Sequence, residues 1–252
     1  GALSATGEKA QEGFHPLLDG FIRTPYNNIK AIENLLLSHS DVVAILLESI
    51  QGEGGIIIPD NGYLANIRKI CDDNNLLFMI DEVQSGLCRT GKWFAFQHDK
   101  ITPDVIMIAK ALGNGVPIGA CLAKNFAANI LTPGTHGSTF GGNFLSTKVG
   151  LKVIDIMQTQ SIDKNAKEMG EYFQTQLQEK MSNKQTIQDI RNKGLMIGIE
   201  LKSECINLVE KALQHGLIIN VTNSNVIRML PPLIINKTQI NDIISILDKI
   251  ID

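Results

Sequence analysis

The sequence has no excess of charge of one sign and no long apolar run. Its 23 lysines and arginines against 26 aspartates and glutamates give a net charge of −3, so there is no basic excess to collect nucleic-acid phosphates. The longest apolar stretches are far shorter than the ~20 residues of a transmembrane helix. A G-x-G-x-x-G turn is also missing, which argues against a nucleotide-binding Rossmann protein. We expect no nucleic-acid partner and no membrane span.

Cysteine is scarce, with 4 in 252 residues. The four are Cys71, Cys88, Cys121 and Cys205, and no two of them form a CxxC unit. Free, buried cysteines fit a reducing compartment better than a disulfide framework. We therefore expect a cytoplasmic protein, and we assign no metal ligands.

Two short apolar runs carry the most informative pattern in the chain. Residues 76–80 and 105–108 are typical of strands in a parallel sheet that is covered on both faces. The first run stops at Asp81, and the second is followed by Ala109 and Lys110. Asp81 and Lys110 are 110 − 81 = 29 residues apart, enough for one crossover back to the same end of the sheet. Because ligands bind beyond the carboxyl ends of such strands, both side chains are expected at one crevice.

An aspartate and a lysine held together in this way suit pyridoxal phosphate. The lysine amine can bond to the cofactor aldehyde, and the aspartate can keep the pyridinium nitrogen protonated. Small residues from Ala111 to Gly115 let a bulky cofactor approach, and apolar neighbours disfavour the charged form of the amine. A plain salt bridge at the strand edge is the alternative interpretation.

The sequence motifs around these two residues resemble those of the class III, or ornithine-type, pyridoxal-phosphate aminotransferases. The central signatures are IDEVQSGLCRTGKWFAFQH and PDVIMIAKALGNGVPIGA, with ESIQGEGG upstream and GTHGSTFGGN and RMLPPLII downstream. The resemblance covers essentially the whole chain. It implies fold type I of the pyridoxal-phosphate-dependent transferases: an α/β fold with a mostly parallel central sheet, helices on both faces and a smaller α+β C-terminal domain. Residues 1–150 would belong to the cofactor-binding large domain and residues 151–252 to the small domain.

The resemblance also implies which residues bind the cofactor. Lys110 would be the catalytic lysine that attaches to it, and Asp81 would contact the ring nitrogen. Val83 would lie on the ring face, although plain core packing is its alternative. Gln84 would reach the ring hydroxyl. Thr139 would contact the cofactor phosphate of a neighbouring subunit, so the expected assembly is a homodimer with its active site at the subunit interface.

Three residues are expected to bind substrate. Arg228 has apolar residues on both sides in the sequence, which predicts that it is buried. A buried arginine needs an acidic partner or an anionic ligand. By resemblance it binds the substrate α-carboxylate, to which its planar fork is matched, and it pairs alternately with Glu48. Ser138 in the glycine-rich loop is the third. A solvated loop carboxylate is the alternative for Glu48, and a structural salt bridge is the alternative for Arg228.

The chain departs from the family pattern in several places. Ser49 stands where proline is common, and Ser85 stands where threonine is more frequent. The family's Gly-Arg-Thr motif and its glycine-rich phosphate turn would lie before Gly1, so we expect an N-terminally truncated chain.

The implied reaction is transfer of an ω-amino group. The expected donor is N-acetylornithine and the acceptor is 2-oxoglutarate, giving N-acetylglutamate 5-semialdehyde and glutamate in arginine biosynthesis. Ornithine, 4-aminobutyrate and succinyldiaminopimelate stay open as alternative donors. An inactive truncated fragment is the alternative of a different class.

Hydrophobic periodicity predicts the remaining elements. Helices are expected over residues 27–37, 61–74, 145–157, 164–181, 205–215 and 238–251. Strands are expected over residues 42–47, 217–221 and 226–229, and a polar loop at 183–187 precedes a turn and a strand within residues 190–201.

Overall fold

The computed structural model describes residues 2–251, apart from the side chains of Glu8 and Lys9. Two compact units are present, residues 1–42 and residues 43–252. The first contains the short helix α1 (Ala2–Ala5) and the helix α2 (Ile29–Ser38). Helix α2 begins where the side chain of Asn28 accepts a hydrogen bond from the Ala31 N–H at 3.0 Å, a typical N-cap. The prediction of a helix here is confirmed.

The second unit begins with a sheet of four strands in the order β1-β2-β3-β4. The strands are β1 (Ala44–Glu48), β2 (Leu77–Asp81), β3 (Val105–Ile108) and β4 (Ala120–Ala123). The first three are parallel, and β4 is antiparallel to β3. Helix α3 (Tyr63–Asn74) makes the crossover from β1 to β2. The two parallel strands predicted before Asp81 and Lys110 are therefore confirmed, and the strand predicted over residues 42–47 is present as β1, which begins at Ala44.

Two long helices follow that sheet. Helix α4 (Phe144–Thr159) begins at Asn143, whose side chain accepts the Ser146 N–H at 3.0 Å, and helix α5 (Ile162–Met181) comes next. Both were predicted, and each begins one or two residues earlier than its apolar periodicity indicates. N-cap hydrogen bonding, which periodicity does not report, sets the start of α4.

A second sheet, entirely antiparallel, has the order β5-β6-β8-β7. Its strands are β5 (Ile187–Lys193), β6 (Met196–Leu201), β7 (Asn220–Thr222) and β8 (Val226–Met229). The prediction of a turn at the start of residues 190–201 was wrong, because those residues already belong to β5. The sequence of β5, IQDIRNK, is polar, and its backbone pairing with β6 overrides its low strand propensity.

Helices α5, α6 (Leu208–Gln214) and α7 (Lys237–Ile250) contribute apolar faces to the core around the second sheet. Within residues 2–251, no helix combines the length and the apolar character needed to cross a membrane. The core around the second sheet lies wholly between residues 166 and 251. Its fully buried members include Phe173, Leu177, Leu195, Ile197, Ile199 and Ile227.

Candidate active site

Asp81 ends strand β2, between the ends of its two parallel neighbours. It lies opposite Glu48 of β1 and Met107 of β3 in the strand register. Its Oδ1 accepts a hydrogen bond from the Val83 N–H at 2.8 Å. The aspartate is thus held at the carboxyl edge of the sheet, as the strand pattern predicts.

Lys110 lies two residues past the end of β3, at the start of a 3-10 turn that runs to Leu112. Its backbone φ is +40°, a left-handed value that costs a non-glycine residue of order 1–3 kcal/mol. Its side chain is exposed and lines a cleft of about 680 Å³. Other residues lining this cleft are Val83, Gln84, Arg89, Ala111, Ile118, Met157 and Leu233.

The charges at this edge interact with one another. Burial raises the pKa of Glu48, and the Gly52 N–H, which donates to its Oε2 at 2.9 Å, opposes that shift. The negative charge of Asp81 raises the pKa further, whereas the positive charge of Lys110 lowers it. The structure therefore brings Glu48, Asp81 and Lys110 within electrostatic range of one another.

Gln84 supplies a hydrogen-bond acceptor to which no described residue donates. Its Oε1 is buried and has no hydrogen-bond partner in the described chain. Gly52 packs so closely that a Cβ at that position would overlap this oxygen. Buried polar atoms are rarely left unpaired, so a ligand hydroxyl is the expected partner. An amine, a carboxylate, a free acceptor and the half-buried Val83 form a set that fits pyridoxal phosphate.

Comparison with known protein families identifies the family of this chain. Residues 1–251 match the sequence model of the family described as aminotransferase class-III. The chain belongs to the class III aminotransferases.

Similar class III relatives come from distant organisms. The acetylornithine aminotransferase of Nitrosomonas europaea is 46% identical over 244 residues, which is 96% of this chain and 62% of the relative. The acetylornithine aminotransferase of Methanocaldococcus jannaschii is 42% identical over 98% of this chain and 62% of its own length. The chain thus spans less than two thirds of the length of these relatives.

Solved structures of aminotransferases share the fold. The ornithine aminotransferase of Toxoplasma gondii superposes with a TM-score of 0.94 at 34% identity, over 99% of this chain and 61% of that one. The acetylornithine aminotransferase of Elizabethkingia anophelis has a TM-score of 0.87 at 36% identity, over 92% of this chain and 62% of that one. The fold is therefore type I of the pyridoxal-phosphate-dependent transferases, as the sequence motifs implied.

In this class III chain, Arg228 lies on β8 and binds a carboxylate other than the expected one. Its side chain is 11% exposed, and it donates to Glu53 Oε1 at 2.6 Å and to Asn220 Oδ1 at 2.9 Å. We expected Glu48 as the partner, and Glu53 lies five residues further along the same glycine-rich turn. Because Glu53 is 77% exposed, this ion pair contributes little to stability.

Arg228 also lines a different cleft from Lys110. That cleft has a volume of about 710 Å³ and is mostly apolar. Leu230, Pro232 and Ile234 line both clefts, so they form a common wall. The structure brings Arg228 next to the Lys110 cleft but not into it.

Ser138 and Thr139 lie in an exposed loop and are not among the residues that line the Lys110 cleft. The structure therefore does not bring them into the Lys110 cleft within one chain. Asp81 does not line the cleft either, although its neighbours Val83 and Gln84 do. Their predicted roles rely on a second subunit, and they stay predictions.

Sequence reasoning missed Glu82. Its side chain is 1% exposed, and its carboxylate accepts hydrogen bonds from Ser49 and Ser85. The signal available was its place next to Asp81 in the DEVQ motif, but strand alternation alone does not distinguish a buried carboxylate from an exposed one.

Arg89 was missed as well, although it lines the Lys110 cleft. Its Nη1 donates to the carbonyl oxygens of Leu195 at 3.0 Å and Pro231 at 2.6 Å. Burial lowers the pKa of Arg89 to about 10. It ties its own segment to the β5–β6 turn and to the turn that follows β8, and both contacts form only when the chain folds.

Proposed function

We propose that the intact protein is an acetylornithine aminotransferase, which transfers the ω-amino group of N-acetylornithine to 2-oxoglutarate with pyridoxal phosphate. The observation that carries the proposal is the identity of 42–46% to relatives of that name over 96–98% of the chain. The grouping of Asp81, Gln84 and Lys110 at one sheet edge supports it independently.

Pyridoxal phosphate, when bound, supplies an aldehyde for the amine and a ring that accepts electrons. In our proposal Lys110 Nζ would hold the cofactor until the substrate amine displaces it, and the freed Nζ would then move the proton from the substrate carbon that carries the amine to the cofactor carbon. Asp81 would keep the ring nitrogen protonated, Val83 would cover the ring face and Gln84 Oε1 would accept a hydrogen bond from the ring hydroxyl. Thr139 contributes to the phosphate site of a neighbouring subunit.

Arg228 is the proposed anchor for the substrate α-carboxylate. A guanidinium binds a carboxylate at two points, and its present carboxylate partner, Glu53, is largely exposed. Exchange of Glu53 for a substrate carboxylate therefore costs little free energy. Glu48 and Ser138 are the further substrate-binding residues in this proposal.

We propose a homodimer with a shared active site. Several large apolar side chains are exposed in the segment that surrounds Thr139, and exposed apolar surface of this kind marks protein interfaces. The side chains are Leu122, Phe126, Ile130, Leu131, Phe140, Phe144, Leu145 and Leu151.

We further propose that residues 1–150 belong to a cofactor-binding domain and residues 151–252 to a small domain. The cluster of buried apolar residues around the second sheet, which lies between residues 166 and 251, supports the second part of this division. The free cysteines are compatible with the proposed cytoplasmic location.

Ornithine is the second candidate donor. The structural likeness to the ornithine aminotransferase of Toxoplasma gondii, with a TM-score of 0.94, favours it. Both donors carry a distal amine, so the chemistry at Lys110 would be the same.

A borohydride trap followed by a panel of amines tests the proposal. The protein is incubated with pyridoxal phosphate, reduced and digested, and the modified lysine is located by mass spectrometry. We expect the label on Lys110, and we expect Lys152→Ala, a change at an exposed lysine, to leave it in place. No label on a folded protein would favour the inactive fragment. With 2-oxoglutarate as acceptor, a higher kcat/KM for ornithine than for N-acetylornithine would show that ornithine is the preferred amino donor.

A further inference from the structure

We infer that Glu82 is a positioning residue, which fixes Asp81 and Gln84 at the crevice through hydrogen bonds from Ser49 and Ser85. This inference rests on the proposed function, because it assigns Glu82 a role in the same cofactor site. It goes beyond that function because no part of the family resemblance gives Glu82 a role.

Strand alternation explains the direction in which the Glu82 side chain points. Glu48 and Asp81 face each other in register at the ends of β1 and β2. Successive side chains of an extended chain point to opposite sides, so Ser49 and Glu82 follow on the other side. Both are buried, at 2% and 1% exposure, and Ser49 Oγ donates to Glu82 Oε1 at 2.7 Å. The charged groups of the crevice and the Ser49–Glu82 pair are therefore adjacent in sequence but opposite in direction.

Both oxygens of the Glu82 carboxylate are held. Oε1 accepts from Ser49 Oγ at 2.7 Å and from the Phe96 N–H at 3.0 Å. Oε2 accepts from Ser85 Oγ at 2.8 Å and from the Ala95 N–H at 3.1 Å. A buried carboxylate is tolerated only when such donors replace water. The donors come from three separate segments, so the carboxylate joins these segments at one point.

The backbone of Glu82 is equally constrained. Its N–H donates to the Met107 carbonyl at 2.9 Å, and its carbonyl accepts from the Gly86 N–H at 3.0 Å. A Cβ at Gly86 would lie 2.6 Å from the Glu82 carbonyl oxygen, so the turn closes only around glycine. Asp81 precedes Glu82 directly, and Gln84 follows within this closed turn. Fixing Glu82 therefore fixes the backbone on both of its sides, where Asp81 ends β2 and Gln84 lines the Lys110 cleft.

Asp104 offers a matched control at the opposite end of the same strands. It lies just before β3 and accepts from the Phe78 N–H at 2.9 Å and from Arg68 Nη1 at 2.7 Å. Like Glu82 it is a carboxylate that joins separate segments and does not itself line the Lys110 cleft. Val83 and Gln84, which follow Glu82, do line that cleft, whereas the neighbours of Asp104 in the sequence do not. A purely structural role for Glu82 would make the two residues equivalent.

The test compares Glu82→Gln with Asp104→Asn in the full chain. We measure the dissociation constant for pyridoxal phosphate, the absorption band of the bound cofactor and the free energy of unfolding without cofactor. Glu82→Gln is expected to weaken cofactor binding by ~10-fold or more, the usual cost of removing a group that orients a ligand-binding residue, and to shift the absorption band. Asp104→Asn is expected to change unfolding alone.

Ser85→Ala keeps the inference testable if Glu82→Gln does not fold. It removes one of the four donors and should weaken cofactor binding in the same direction by a smaller factor. Wild-type cofactor affinity in Glu82→Gln would overturn the inference. If Glu82→Gln does not fold, wild-type affinity in a folded Ser85→Ala would overturn it. An equal loss of affinity in Asp104→Asn would overturn it as well. None of these results would touch the proposed function, since that depends on the label at Lys110 in the wild type. A wild type that binds no cofactor would overturn both.

Discussion

The two ends of strands β2 and β3 use their charged residues in opposite ways. At the amino end, Asp104 accepts from the Phe78 N–H and from Arg68, and Lys124 Nζ lies 3.9 Å from its other oxygen. At the carboxyl end, Lys110 is exposed and Gln84 Oε1 has no partner in the described chain. The amino end uses its polar groups to close the fold, whereas the carboxyl end keeps them available for a ligand.

The pKa shifts follow the same division. Burial opposes ionisation of Asp104, but the Phe78 N–H and Arg68 outweigh it and hold its pKa below the usual value. Burial dominates for Glu82 and Glu48, and it raises the pKa of both despite their hydrogen bonds. The pKa values of carboxyl groups at the two ends are thus shifted in opposite directions, because the Phe78 N–H and Arg68 outweigh burial at Asp104, whereas burial outweighs the hydrogen bonds at Glu82 and Glu48.

The largest effect should come from Lys110→Ala. Without the amine, neither cofactor attachment nor proton transfer by Nζ remains, so turnover should fall by ~10⁴-fold, the upper range for loss of general acid–base catalysis. Lys124→Ala, at the amino end, is the matched control and should retain turnover. Steady-state kinetics and borohydride labelling measure both. Turnover near the wild-type rate in Lys110→Ala would remove the functional contrast between the two ends.

Asp81→Asn is expected to have the next largest effect. The amide cannot stabilise a protonated ring nitrogen, so the half-reactions should slow by ~10²–10³-fold, as for the loss of one preorganised electrostatic group. Cofactor binding should persist, because the remaining contacts are unchanged. Stopped-flow absorbance measures the half-reactions, and rates equal to those of the wild type would show that Asp81 is not the partner of the ring nitrogen.

Asp104→Asn should affect stability instead. It removes a charged acceptor of two hydrogen bonds, which should cost about 1.5–3 kcal/mol. Urea unfolding provides the measurement, and kcat of the folded fraction should stay near the wild-type value. A large fall in kcat with unchanged stability would mean that the amino end also serves the chemistry.

The pH dependence of stability should show the smallest effect. Since the folded-state pKa of Glu48 is raised, its stabilising contribution is complete below the unfolded value and is lost as pH rises through the folded value. The contribution of Asp104, whose pKa is lowered, is present above the unfolded value and is lost as pH falls through the folded one. Glu48→Gln should therefore flatten the decline in unfolding free energy above pH ~4.5. An unchanged slope between pH 4 and pH 7 would contradict this assignment.

Prediction from the sequence succeeded where a local pattern carries the information. The apolar runs before Asp81 and Lys110 indicated two parallel strands, and both are present. The polar strand β5 was missed because its stability comes from pairing with β6, a contact that no local pattern reports. For the same reason, no sequence pattern indicated that Glu53 rather than Glu48 meets Arg228.

The sequence by itself identified the family and the type I fold through the resemblance of its motifs. It also placed an acid and a lysine at strand ends, because apolar runs and their spacing can be read from the sequence. Only the tertiary structure decided which polar side chains have hydrogen-bond partners. The burial of Glu82 under donors from three segments, the unpartnered Gln84 Oε1 and the carbonyl partners of Arg89 all depend on residues far apart in the chain. Desolvation acts on a group according to everything that surrounds it, and those surroundings exist only once the chain has folded.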